Sequence, residues 1–238
     1  MRLRYERVPE NEWSMLTWAR EAGLEVPEVD LVPLADVRGL PEAATSGLRE
    51  QLCYAVRRLD RPAKGPRIHI EDFCQVFGKY PTKAGKYDSM NYESVANVIL
   101  RTCGKDDLRE FIGRLVFVTL CGNTDAHLKN WSLIYRDGVK AALAPAYDLV
   151  STIGYDAAYA ALALNFNGSH AFGAVSVGGF ERLARRLACD PHMIVTWARE
   201  AASRVEQAWR RLKGDLRLPD EGKRIIEAHL YAHLPLMS

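Results

Sequence analysis

The sequence has no long hydrophobic run. Its longest fully apolar stretch, Ala157–Leu164, is eight residues, far short of the roughly 18 that a membrane-spanning helix needs. The first twenty residues carry Arg2, Arg4, Glu6, Arg7, Glu10 and Glu12 without an apolar core, so no secretory signal is read there. Charge of one sign is not in excess either. Thirty-two Lys and Arg against thirty Asp and Glu leave +2, which argues neither for nor against a polyanion partner. Cysteine is scarce and unpatterned: Cys53, Cys74, Cys103, Cys121 and Cys189 are odd in number and form no C-x-x-C pair. That usage predicts reduced, mostly buried thiols in a cytoplasmic protein. Cys103, Cys121 and His127 match no zinc spacing and lack a second ligand pair. Ser132 and Ser151 have no G-x-S-x-G elbow, which leaves serine-hydrolase chemistry unsupported. His69 and His170 read as structural or surface residues. No internal repeat and no low-complexity tract is present.

What is there suits a folded protein. At 48% hydrophobic and 26% charged over 238 residues, the chain can bury a core without disulfides or metals. The length suits one large domain or two small lobes. Pro9–Ala22 reads as a helix, with Asn11 as N-cap, Glu12 in the first turn and Gly23 as terminator. Val29–Leu34 and Leu52–Leu59 read as strands, and Asp36–Leu48 as a loop. The Pro- and Gly-containing stretch Arg61–Arg67 marks a boundary between residues 1–60 and 61–238. Beyond it the pattern is mostly helical: Glu71–Phe77, Tyr92–Leu100 and Asp106–Leu120, the last with a central apolar stripe. Trp131–Arg136 and Lys140–Ala144 flank Asp137-Gly138, a two-residue hairpin signal. Ala160–Phe166 reads as a strand, and Phe180–Ala188, Pro191–Leu212 and Glu221–His233 as helices. Arg182, Arg185, Arg186, Arg199, Arg204, Arg210 and Arg211 make these last helices basic. Interleaved acids favour a solvated face over a surface for a partner protein or DNA.

The chemistry concentrates in Gly122-Asn123-Thr124-Asp125-Ala126-His127-Leu128-Lys129-Asn130, between a long helix and a hairpin. The Asp125-to-Asn130 interval is that of a kinase catalytic loop, in which the Asp accepts the acceptor hydroxyl's proton and the Asn ligates magnesium. A hairpin returns the chain, so Asp148 is expected beside Asn130. A carboxylate and an amide oxygen there suit Mg²⁺ on nucleotide phosphates. Asp125 would orient the acceptor hydroxyl, and Lys129 would neutralise the transferring phosphoryl group. Taken alone, Asn123, Thr124 and Asp125 are equally common loop and cap residues.

The same residues carry a resemblance. GNTDAHLKNWSLIY (122–135) followed by LAPAYDLVST (143–152) resembles the catalytic region of HipA-family toxin serine/threonine kinases. Asn11-Glu12-Trp13 with Val26-Pro27-Glu28-Val29, Val56-Arg57-Arg58-Leu59-Asp60-Arg61 and His69-Ile70-Glu71-Asp72-Phe73-Cys74-Gln75 agree with further family motifs in the same order. The resemblance implies an α+β, protein-kinase-like fold: a mostly helical C-terminal lobe in residues 61–238 and a truncated N-terminal lobe with the hinge in residues 1–60. It implies ATP and Mg²⁺ as cofactors. Asp125 would be catalytic, and Asn130 and Asp148 would bind the metal. His127 and Tyr147 would lie against the nucleotide, and Arg57, Arg58 and Leu59 would form the hinge that meets adenine through its backbone. It implies a protein substrate in the translation machinery, such as an aminoacyl-tRNA synthetase, and a small HipB-like DNA-binding antitoxin. No membrane association and no direct nucleic-acid binding are expected.

This sequence departs from the family pattern at Arg57, where Glu is usual, and at Ile70, where Gln is frequent. Only ten residues precede Asn11. The family's N-terminal subdomain, serine-containing phosphate loop and nucleotide lysine have no counterpart in them. The expectation is a core fragment, truncated or completed by a separate N-terminal chain, with Glu12 as the carboxylate that would pair with that lysine. A non-catalytic pseudokinase that docks an antitoxin or a separate subdomain is the alternative. A small-molecule kinase shares the Asp-to-Asn loop, but LAPAYDLVST and the Asn11-Glu12-Trp13 helix favour the HipA resemblance.

Overall fold

The computed structural model describes residues 6–41, 51–155 and 160–237. Helix α1, Val8–Glu21, has Pro9 in its first turn and ends where Gly23 adopts a positive φ of 83°. It starts earlier than the sequence predicts. Arg7 is its N-cap, and Asn11 sits inside the helix because its amide is spent on a tertiary contact. Strands β1, Val29–Pro33, and β2, Leu52–Val56, form an antiparallel ribbon with Val29 opposite Val56 and Pro33 opposite Leu52. Most of the loop expected over Asp36–Leu48 lies outside the described residues, as do Arg2 and Arg4.

The helix expected over Glu71–Phe77 is half strand. His69–Asp72 is β3, and only Phe73–Val76 is helical, as α2. A capping box makes the switch. The Asp72 carboxylate accepts from Gln75 N, and the Gln75 side chain accepts from Asp72 N, both at 2.9 Å. Short α3, Lys83–Tyr87, is capped by Thr82; α4, Tyr92–Thr102, is capped by Asn91. Helix α5, Lys105–Leu120, runs through the middle of the molecule, buried without interruption from Phe111 onward. Strands β4, Ser132–Tyr135, and β5, Ala142–Leu143, join β3 in a three-stranded antiparallel sheet ordered β3-β4-β5. The connection at Asp137-Gly138 is wider than a two-residue turn, because Ile134 pairs with Ala142. Instead, Asp137 Oδ1 accepts from Val139 N and Lys140 N.

Ala160–Phe166 is not a strand: among the described residues it has no partner strand. Its one bridge is Phe166 to Ser169, across Asn167-Gly168 with φ of 52° and 79°, a positive-φ pair that the Asn-Gly dipeptide supplies. Helices α6 (Val177–Arg186), α7 (Pro191–Leu212) and α8 (Asp220–His233) close the fold. Ser176 caps α6 and Asp190 caps α7. Most of their arginines are tied down: Arg185 to Glu181, Arg186 to Glu93, Arg210 to Glu206 and Arg211 to Glu21. One apolar core joins α1 to α5 and α7. Trp18 meets Phe117 and Trp209 with ring centroids 5.0 and 4.6 Å apart, and its Nε1 donates to Val205 O at 2.9 Å. Of the five free cysteines only Cys74 and Cys121 are buried; the other three are half-buried, fewer than the sequence predicts. Among the described residues, no helix is long and apolar enough to cross a membrane.

Candidate functional site

The loop after α5 is braced from three sides. Gly122, at φ 68°, turns the chain, and its carbonyl accepts from Thr152 N at 3.0 Å and Ile153 N at 3.2 Å. Thr124 N donates to Thr152 Oγ1 at 2.6 Å, and the two threonine hydroxyls lie 2.7 Å apart. The Ala126 carbonyl accepts from Tyr92 Oη at 3.0 Å and from Trp131 Nε1 at 3.2 Å. Asn123 is buried, and its Oδ1 accepts from Asp125 N at 2.8 Å. A polar loop is thereby pinned to a rigid helix, which fixes the positions of its side chains.

Asp125 ends up exposed at the mouth of a cleft. One turn of 3₁₀ helix, Leu128–Asn130, carries Asn130 to the cleft floor. There Asn130 Nδ2 donates to Asp148 Oδ2 at 2.7 Å. The β4–β5 hairpin therefore does return Asp148 to Asn130, as the chain reversal predicts. Asp148 has φ 56°, a left-handed conformation uncommon outside glycine but one that Asp and Asn adopt more readily than most residues. Its carboxylate is solvent-accessible yet recessed. Surrounding protein and the nearby Asp125 charge hold its pKa above the usual range, against His127, Asn130 and Lys129.

A third acid faces the same floor. The Glu12 carboxyl, from α1, is pushed up to about 7, first by burial and then by the Asp148 charge, with Tyr54 opposing. Tyr54 Oη is buried beside Glu12 without a full hydrogen bond, and burial and the two carboxylates raise its own pKa. The Glu12 and Asp148 carboxylates repel each other, and a cation placed between them would relieve that repulsion. Asn130 Oδ1 is buried without a hydrogen-bond partner. With the amide turned, Asn130 Oδ1 and the Asp148 carboxylate would be hard oxygen donors of the kind Mg²⁺ takes, so the residue types present fit such an ion.

The other expected residues surround this floor. Lys129 is exposed and acts on Asp148 through its charge. Tyr147 points its hydroxyl away from the cleft, to Ser132 Oγ at 2.5 Å and Lys129 O at 2.7 Å, and burial pushes its pKa up to about 12. His127 is buried behind Asp125, with Nδ1 unpartnered and its pKa lowered by burial. Arg57 turns its side chain to Glu28 at 2.8 Å, and its N–H to the Glu28 carbonyl at 2.9 Å. Arg58 pairs with Asp60 through two bonds of 2.8 and 2.7 Å. Among the described residues, no backbone hydrogen bond engages Arg58 or Leu59.

Sequence reasoning missed four participants. Tyr87, on α3, donates its hydroxyl to Asp125 Oδ1. Tyr54 faces Glu12, and Thr152 anchors Thr124. Asn11 clamps Ser151: its Nδ2 donates to Ser151 O at 2.9 Å, and its Oδ1 accepts from Ser151 N at 3.0 Å. Of these, the sequence singles out Asn11 as a helix cap and in the Asn11-Glu12-Trp13 motif, and nothing local ties it or Tyr87 to the loop.

The chain is similar to known proteins along most of its length. The family model described as HipA-like C-terminal domain matches residues 2–209. A protein named "Putative kinase Y4dM" from Sinorhizobium fredii is 42% identical over 94% of this chain and 54% of its own length. A "Putative kinase" from Haemophilus influenzae is 30% identical over 63% of this chain and 43% of its own length. The chain thus spans about half the length of the curated relatives it matches. In fold it is similar to HipA from the Shewanella oneidensis toxin–antitoxin complex of HipA, HipB and operator DNA, with TM-score 0.74 at 20% identity, covering 98% of this chain and 56% of that one. It is also similar to the Helicobacter pylori proinflammatory kinase CtkA, with TM-score 0.57 at 13% identity over 95% and 81%.

Proposed function

Since the chain belongs to the family of HipA-like C-terminal domains, we propose that its cleft is one half of an ATP- and Mg²⁺-dependent protein serine/threonine kinase site. The observation that carries this reading is the meeting of Asn130 and Asp148 side by side, with the exposed Asp125 near enough for its charge to act on Asp148. When bound, Mg-ATP supplies the transferable γ-phosphoryl group and the neutralising ion. The chain's own residues do the rest. Asn130 Oδ1 and the Asp148 carboxylate would hold the ion, once an amide turn presents the oxygen of Asn130 instead of its nitrogen. Asp125, clear of that pair, orients the acceptor serine hydroxyl and takes its proton. Lys129 balances charge on the phosphoryl oxygens. The unbonded backbone of Arg58 and Leu59 offers a donor and an acceptor edge to adenine.

In this reading the ribbon β1–β2 and the start of α1 form the upper side of the cleft, and residues beyond about 61 the lower. The resemblance supports a protein acceptor, such as an aminoacyl-tRNA synthetase of the translation machinery. The fold likeness to HipA in its complex supports an antitoxin of the HipB kind as partner.

Calorimetric titration with Mg-ATP and a phosphoryl-transfer assay test the reading. Asp148→Asn is expected to weaken metal-dependent nucleotide binding about tenfold or more. Asp125→Asn is expected to leave binding in place and cut transfer about 100-fold or more. Nucleotide binding that needs no metal and survives Asp148→Asn would contradict it.

A further inference from the structure

Tyr87 reaches the candidate catalytic aspartate from 38 residues away. We propose that Tyr87 is a positioning residue for Asp125: its hydroxyl fixes the carboxylate through Oδ1 and leaves Oδ2 for the acceptor hydroxyl. The inference rests on the reading of Asp125 as proton acceptor.

Asp125 needs such a support. Its side chain is exposed, and among the described residues its carboxylate has no ion pair and no other hydrogen bond. An untethered surface carboxylate samples several rotamers, and each non-productive one lowers the effective concentration of the base. A phenol-to-carboxylate bond is charge-assisted and among the stronger neutral-donor contacts. Burial and the adjoining carboxylates raise the Tyr87 pKa, so the phenol keeps its proton and stays a donor.

The tyrosine is itself held at two further points. Its ring meets the buried His127 edge-on, with centroids 5.0 Å apart and planes at 81°. His127 N in turn donates to Asp125 O at 2.7 Å, so ring and carboxylate share one frame. The helix that presents Tyr87 is short but knotted. Thr82 Oγ1 accepts from Gly85 N at 3.1 Å, and Ser89 Oγ donates to Gly85 O at 2.7 Å. Any Cβ on Gly85 would lie 1.8 Å from the Tyr80 carbonyl oxygen, so this turn closes only around glycine. The tyrosine does not seal the site, because beside it an open cleft is lined by Pro81, Lys83, Lys86 and Tyr87. A rigid mount next to an open cleft suits orientation rather than a lid.

Tyr87→Phe tests this on the full chain, since it removes the hydroxyl and keeps the ring on His127. With Mg-ATP and water as acceptor, phosphate release is expected to fall about tenfold in kcat, with the KM for ATP and calorimetric Mg-ATP affinity unchanged. A purely structural role would move both parameters or neither. An unchanged kcat overturns the inference. A raised kcat overturns it too, because the hydroxyl would then be blocking the acceptor's place. A measurement without turnover stands beside it. The side-chain carboxyl ¹³C resonance of Asp125, assigned through Asp125→Asn, is expected to shift in Tyr87→Phe, and an unmoved resonance overturns the contact. A wild type that neither binds Mg-ATP nor releases phosphate would sink the kinase reading and this role together. An active wild type with an equally active Tyr87→Phe sinks this role alone.

Discussion

At the residue scale, Gly122 shows how little freedom the loop has. It sits at φ 68°, and a Cβ there would come 2.5 Å from Ile153 Cδ1 and 2.7 Å from Ile153 Cγ1. Gly122→Ala therefore adds a left-handed backbone cost to an overpacking cost, together about 2–4 kcal/mol. Chemical denaturation is expected to show that loss in the midpoint at unchanged slope; a midpoint within a few tenths of a molar of wild type would refute it. The glycine and the D-x-x-x-x-N interval were both visible in the sequence. Their counterparts were not. Tyr87 lies on a five-residue helix too short to show a period, and Asn11 meets Ser151 across 140 residues. Contacts of that range are set by packing of whole elements, which no local pattern encodes.

At the element scale, long helices with wide apolar faces were legible, and short pieces were not. Helix α5 announces itself through Leu108, Ile112, Leu115, Val116 and Thr119. Strand β3 does not, because its four residues carry as much charge as apolar surface and are strand only by virtue of pairing with β4. The α8–α5 contact gives an element-level prediction. His229 Nε2 donates to Thr119 O at 2.8 Å, with Phe172 and His233 packed against the ring. Burial, aided by the neighbouring His233, pushes His229 down to about 4. A histidine whose folded pKa lies below its unfolded 6.5 stabilises the fold fully above about pH 6.5. That contribution is lost as pH falls from there toward 4. After discounting for its partial exposure, the loss is about 1–2 kcal/mol. His229→Gln keeps a donor for Thr119 and cannot titrate. Its stability relative to wild type is therefore expected to improve by that amount between pH 7 and pH 4.5, read by thermal melts. Parallel pH profiles would refute it.

At the scale of the whole molecule, the first helix belongs energetically to the helical body, although the sequence boundary at Arg61–Arg67 suggests a separate lobe. Trp18 is fully buried between Phe117 and Trp209. Trp18→Ala is expected to cost about 3–5 kcal/mol, a large part of the 5–15 kcal/mol available to a typical domain. Because that tryptophan joins α1 to α5 and α7, the loss is expected as one cooperative transition at lower denaturant, by circular dichroism and by Trp fluorescence alike. A separate early transition confined to one probe would show that α1 melts on its own.

The amide of Asn11 has a mechanical consequence. By gripping both sides of the Ser151 backbone, three positions past Asp148, it bolts the helix that carries Glu12 to the segment that carries Asp148. Neither can slide along its axis without dragging the other. The spacing of the two carboxyl groups is thus set by the scaffold itself.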